Sequence, residues 1–259
     1  MGFKRLFGVG DTGDAIEVDT HILGPALPGG ELRGEILLRG GRRDTYIDYV
    51  DLHIHVRCTG HDGRQSTYEI DTHSAEPGQL TLLKGEERRL TFSQRLPWET
   101  PLSELGGRAL GVALSVRSRI TRGDGDDGID VDDDLLHVSA LPLHEALLDL
   151  FAEEGYLCDA AEVVEGDVPG TEQRLGIIQT FLLTGHAPGP DRPDALEVTF
   201  QTNAVGAMVH VRRAAPDERY WEDKPPARRF PAAHHEVGAV DWRPQVREVL
   251  SGPAWPADR

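Results

Sequence analysis

The chain has 259 residues, 44 of them acidic and 27 basic, giving a formal charge of −17. That balance excludes nucleic acid as a main partner, since phosphate binding needs a basic stripe that releases counterions. The basic pairs here (Arg42 with Arg43, Arg212 with Arg213, Arg228 with Arg229) are interspersed with acids.

Cys58 and Cys158 form no spaced set, which argues against a disulfide framework and fits a reducing cytoplasm. No stretch approaches the roughly 20 apolar residues of a membrane span. The length suits two domains of about 100–150 residues each.

Residues 1–14 read as a flexible leader without a signal-peptide apolar run. Within it, "GVGDTG" places Gly8, Gly10 and Gly13 in the dinucleotide pattern letter for letter. That pattern works only where a strand feeds a tight turn onto a helix. Here it leads from a tail into a strand, so no nucleotide and no other cofactor is expected.

Period-two alternation follows. In "YVDLHIHVRC", Val50, Leu52, Ile54, Val56 and Cys58 share one face, and Tyr49, Asp51, His53, His55 and Arg57 the other. "ELRGEILLR", "RLTFSQRL" and "LGVALSVRSRI" alternate likewise, separated by "LPGG", "RGGRRD", "GHDGR", "EPGQ" and "LKGEE". Half-buried strands at regular spacing, with turn chemistry between them, predict an antiparallel β-sandwich over 15–139.

A helical signal begins at Pro142, where Leu143, Ala146, Leu147, Leu150 and Phe151 fall at i, i+3, i+4, i+7 and i+8, and Gly155 is placed to stop the helix. Strands resume in "YLCDAAEVV", "RLGIIQTFLL", "ALEVTFQT" and "AMVHVRRA". The stretch from Pro216 to His235 reads as loop. A short helix follows, with Asp241 as cap and Val246, Val249 and Leu250 as its apolar stripe. Residues 140–259 are therefore expected to form a second β-sandwich with two short helices.

Three patterns in order, "VDTHILGPALPGGELRGEILLRGG" (18–41), "LTFSQRLPWETPLS" (90–103) and "LSVRSRITRGDGDDGIDVDDDLLHVSALP" (114–142), resemble the arrestin-like sporulation-control family of bacteria, of the sporulation stage zero, protein M type. The helix in "ALPLHEALLDLFAEEGY" also looks like that family's entry to its second domain. The resemblance implies an all-β fold of two tandem antiparallel β-sandwiches of arrestin-like architecture. It further implies a cytoplasmic regulatory or scaffold protein without catalysis, in sporulation or differentiation control.

The run from Asp124 to Asp134 carries seven aspartates: Asp124, Asp126, Asp127, Asp130, Asp132, Asp133 and Asp134. An EF-hand register fails, because Gly128, Ile129 and Leu135 stand where an acid, a glycine and a glutamate are required. Adjacent carboxylates repel by roughly 1 kcal/mol at about 4 Å in water, so such a run avoids burial unless cations meet it. The favoured reading is an inter-domain polar joint, with Arg117, Arg119 and Arg122 as those cations. The alternative is a calcium-responsive module built on Asp126, Asp130 and Asp132.

His53, His55, Cys58, His61 and His73 hold the right elements for zinc, but alternation turns Cys58 away from His53 and His55. No Gly-x-Ser-x-Gly elbow or Cys–His pattern points to hydrolysis, which stays only as a distant alternative with an unrecognised site. The expectation is an unidentified protein partner, bound through sheet edges or a concave face, with a homodimer also possible by edge pairing.

Overall fold

In the first half of the chain, alternation becomes two facing sheets. The structure is a computed structural model and describes residues 4–5, 16–76, 78–122, 129–186, 192–215, 218, 220–221 and 223–251. The strands run β1 (Lys4–Arg5), β2 (Glu17–Leu23), β3 (Glu31–Arg39), β4 (Thr45–Thr59), β5 (Gln65–Glu76), β6 (Leu80–Leu82) and β7 (Glu87–Arg95). A short pair follows, β8 (Glu104–Leu105) with β9 (Arg108–Ala109), then β10 (Leu114–Arg122) and β11 (Ile129–Leu136).

One sheet has the order β1-β2-β3-β7, and the facing layer is built from β11, β10, β4, β5 and β6, every pair antiparallel. The predicted apolar faces meet between them, with Val18, Ile36, Leu38 and Phe92 from one sheet and Val50, Leu52, Ile54, Val56 and Val116 from the other buried in a common cluster. Gly34 makes the approach of β2, β3 and β7 close. A Cβ there would overlap the Phe92 ring and the His21 carbonyl oxygen.

The second half runs α1 (Pro142–Glu153), β12 (Tyr156–Glu165), β13 (Ile177–Gly185), β14 (Ala195–Thr202), β15 (Gly206–Arg213), β16 (Arg228–Ala233), a single 3₁₀ turn at His234–Glu236 and α2 (Arg243–Ser251). The five strands pair antiparallel in chain order. Helix α1 packs on β12 and touches α2, which packs on β16.

Both helices form where the sequence places them. Pro142 sits in the first turn of α1, Gly155 takes φ +92° just past its end, and the Asp241 carboxylate accepts the Arg243 amide at 3.0 Å. The buried face of α1 is Leu143, His144, Leu147, Leu148 and Phe151, turned slightly from the expected stripe. Ala146 and Leu150 are only partly covered.

The stretch expected to be loop contains β16. Its buried residues, Phe230 and Ala232, are too few to stand out as an alternation, and Pro231 between them argues against a strand by sequence alone. A proline is tolerated there because β16 ends the sheet order.

The halves meet in several ways. Strands β4 and β12 run parallel for one residue pair, Thr59 with Val164, which joins the sheets edge to edge. The Gln179 amide donates to the Leu102 carbonyl at 2.7 Å and accepts the Leu102 N–H at 2.8 Å. The Glu99 carboxylate accepts the amides of Arg174 and Leu175, and Tyr68 Oη accepts the Gly176 amide. Apolar contacts continue across, so buried residues of both halves form one cluster. Among the described residues no helix is long and apolar enough to cross a membrane.

Candidate functional site

The outer face of the first-half sheet gathers most of the chemistry singled out from the sequence. Because Val50, Leu52, Ile54, Val56 and Cys58 point inward, Tyr49, Asp51, His53, His55 and Arg57 point out. Register then sets Arg117 of β10 beside His53 on one side and Asp133 of β11 on the other. The Arg117 guanidinium meets the Asp133 carboxylate at 3.2 Å. On the other flank His53 Nδ1 lies 2.7 Å from a Glu69 carboxylate oxygen, and His55 Nε2 lies 3.7 Å from the same oxygen. The two imidazoles stack with centroids 6.0 Å apart.

Burial opposes ionisation of Glu69, but the hydrogen bonds from His53 and Thr72 and the two nearby imidazoles outweigh it and hold the carboxyl below its ordinary range. Tyr49 is 50 % exposed and Leu135 72 % exposed, and both stand on this same face. The result is a solvent-facing ladder of alternating charge with an aromatic and an aliphatic side chain projecting from it.

The acidic run is split by the fold. Asp124, Asp126 and Asp127 lie outside the described residues. Asp130, Asp132, Asp133 and Asp134 belong to β11, paired with β10, so this part of the run extends the first sheet. Arg117, Arg119 and Arg122 are on β10, Arg119 standing in register with Asp130.

The aspartates on β11 are met in two different ways. Asp133 points out to Arg117. Asp132 points in and is 4 % exposed; one carboxylate oxygen accepts the Thr20 amide of β2 at 2.8 Å and the other the Asp133 amide at 3.1 Å. Thr20 and Ser118 hydroxyls pair beside it at 2.6 Å. The chain leaves this sheet only after Leu136, and the crossing to α1 is tied down by Val138, fully buried, whose carbonyl accepts the Ser103 amide and whose amide donates to the Ser103 hydroxyl.

Of the calcium trio, only the Asp132 carboxylate is described, and it faces the core. Among the described residues no group of three or more His, Cys, Asp or Glu side chains is arranged to hold a metal. Cys58 turns inward beside Ser66, and His61 sits in the β4–β5 turn with its ring stacked on Tyr220 at 4.7 Å.

A second polar cluster escaped the sequence reading. On β14, Glu197 and Thr199 alternate with apolar residues and read as a solvent face, yet both are buried. Glu197 accepts from Arg212 Nε on β15 at 3.1 Å, from Lys224 Nζ at 2.9 and 3.0 Å, and from the Ala215 amide at 3.1 Å. The Arg212 guanidinium lies 3.7 Å from the Trp221 ring centroid. His210, also on this face, is pushed down to about 4 by burial, with Arg229 and Arg212 adding to the shift. The cover comes from the segment following β15, which carries Trp221 and Lys224. Register sets Glu197 of β14 directly opposite Arg212 of β15, and no local sequence signal announces it.

The family model for the SpoOM protein matches residues 3–213. The chain belongs to that family. A sporulation-control protein spo0M of Bacillus subtilis (strain 168) is 29 % identical over 227 residues, which is 85 % of this chain and 83 % of that protein. The crystal structure of Spo0M, sporulation control protein, from Bacillus subtilis superposes with a TM-score of 0.73 at 22 % identity, over 90 % of this chain and 96 % of that one. The mostly-β architecture with two helices is thus the family's fold, as the three sequence patterns implied. The family match stops at Arg213, so β16, α2 and the Lys224 segment lie beyond it.

Proposed function

We propose that the chain is a non-enzymatic, cytoplasmic regulatory protein of the sporulation-control type that acts by holding a protein partner against the outer face of its first sheet. One observation carries this reading: among the described residues no other layer covers this face, yet it is ordered by ion pairs and presents Tyr49 and Leu135 to solvent. Interface centres favour aromatic and arginine side chains, and aligned charges fix register and partner choice.

The sheet edges are weaker candidates. Strand β11 carries an inward carboxylate and β16 a proline, both devices that discourage addition of another strand. The sheets also support the division into bodies 15–139 and 140–259. Strands of each half pair among themselves and meet across one residue pair.

A photo-crosslinking residue placed at Leu135, and separately at Val205, tests the reading. Val205 is equally prominent at 70 % exposed but lies on the β14–β15 turn of the other half. The same cellular protein should crosslink from position 135, should be lost on Tyr49→Ala or Arg117→Glu, and should not crosslink from 205. Equal capture from both positions, or capture indifferent to Arg117→Glu, refutes it.

A further inference from the structure

Between the two halves, a cavity of about 300 Å³ opens over the buried polar face of β13–β15. Its floor is cationic. Arg212 is 2 % exposed, Lys224 8 % and Thr180 1 %, and all three line the space. Both cations lean on a single carboxylate, Glu197, which lies behind them and not in the cavity wall.

After those bonds, donors remain. Arg212 gives Nε to Glu197 and Nη1 to the Trp221 carbonyl, and its Nη2 amino group makes no hydrogen bond among the described residues. Lys224 Nζ gives two of its contacts to Glu197 and has a third proton to offer. Glu197 takes the hydrogen bonds of both cations, and Glu162 of β12, in register with Thr180, also acts on Lys224 through its charge, so what the floor offers the cavity is the unused donors of Arg212 and Lys224.

The rim is flat and aromatic. Tyr220 stacks on His61 at 4.7 Å with planes 10° apart, and Trp221 lies over the Arg212 guanidinium. Two acids, Glu165 and Asp167, also border the opening. Glu165 accepts the Ser66 hydroxyl at 3.0 Å. Their presence still matters, because a doubly charged phosphate would meet about twice the repulsion that a single carboxylate does. Burying a charged ligand is tolerable only where it is paired and hydrogen-bonded, as it would be here.

We propose that this cavity binds a small, flat molecule bearing one carboxylate, its charge on Arg212 and Lys224 and its ring against Tyr220 and Trp221. The size falls at the lower end of small-molecule sites, and Val164, Ile178, Tyr220 and Trp221 give an otherwise polar wall its apolar surface. The site is independent of the partner face, since its floor and aromatic cover come from β13, β15 and the segment after β15. His61 is contributed by the β4–β5 turn, so an occupant would touch both halves at once.

The test is calorimetric and fluorimetric titration of the full chain with 2-naphthoate and with benzoate, using 2-naphthamide as the uncharged control. Saturable binding is expected for at least one acid, with the amide at least tenfold weaker. Lys224→Met and Tyr220→Ala should each weaken the acid by tenfold or more. Tyr220 is 42 % exposed and holds no buried charge, so Tyr220→Ala keeps the test open if Lys224→Met fails to fold. Absence of saturable binding by both acids, equal binding of acid and amide, or affinity unchanged in folded Tyr220→Ala would each overturn the proposal.

Discussion

Replacing Glu197 by alanine should be among the most damaging single changes available in the second half. The side chain is 1 % exposed and receives three donors: the Arg212 guanidinium, the Lys224 ammonium and the Ala215 amide. Its removal leaves two cations, 2 % and 8 % exposed, without their shared counter-ion. Breaking a buried ion pair from one side costs about 3–5 kcal/mol. A domain of this size loses about 2–4 °C in melting temperature per kcal/mol, so a drop on the order of 10 °C is expected. Circular dichroism melts and urea titration at neutral pH measure it.

The companion variant carries Glu197→Leu, Arg212→Met and Lys224→Met together. It should recover most of the loss, because buried ion clusters are replaceable by apolar groups at little net cost. A fall below about 1 kcal/mol in Glu197→Ala, or a triple variant less stable than the single one, would show that water or relaxation already screens the cluster and that the buried-charge reasoning is wrong.

The remaining predictions concern acidity, packing and the two faces of β11. Burial pushes His144 down to about 3, so the unfolded chain takes up a proton below pH 6.5 while the folded one does not. Stability from this group is therefore full above neutrality and drains as pH falls toward 3, by roughly 2 kcal/mol at pH 5, and His144→Leu should flatten that part of a stability–pH curve. Gly34→Val should cost at least about 1–3 kcal/mol by forcing the Phe92 ring aside, read from a urea midpoint. Asp132→Leu orphans the Thr20 amide and should cost about 1–3 kcal/mol. Its neighbour change Asp133→Ala breaks a half-exposed pair and should stay within about 0.5 kcal/mol in the same assay.

Strand and helix positions were legible wherever one face was consistently apolar. In β4 the alternation named both the buried set and the outward His53, His55 and Arg57, and in α2 the Asp241 cap and apolar stripe fell where expected. What alternation does not carry is register, and register makes the site. A bulge in β5 skips Ile70 opposite Ile54 and His55, which brings Glu69 level with His55 and in reach of His53. Nothing local to "TYEID" announces that.

The same limit explains the acidic run. Its density of charge suggested an inter-domain polar joint, but two adjacent members, Asp132 and Asp133, each have a partner on another strand, one a backbone amide and one an arginine. Cover is equally invisible in sequence. Glu197 and Thr199 look like a wet face until the segment bearing Trp221 and Lys224 closes over them.

The inward carboxylate at Asp132 also has a bearing on behaviour at high concentration. An outermost strand with regular pairing invites a second molecule to continue the ladder, and repeated additions make filaments. On β11 a newcomer's backbone would run along a row of aspartates and disturb the one that tethers β2. Growth from that side is therefore opposed by the same side chain that secures the molecule's own layers, and crowding alone should not polymerise the chain along it.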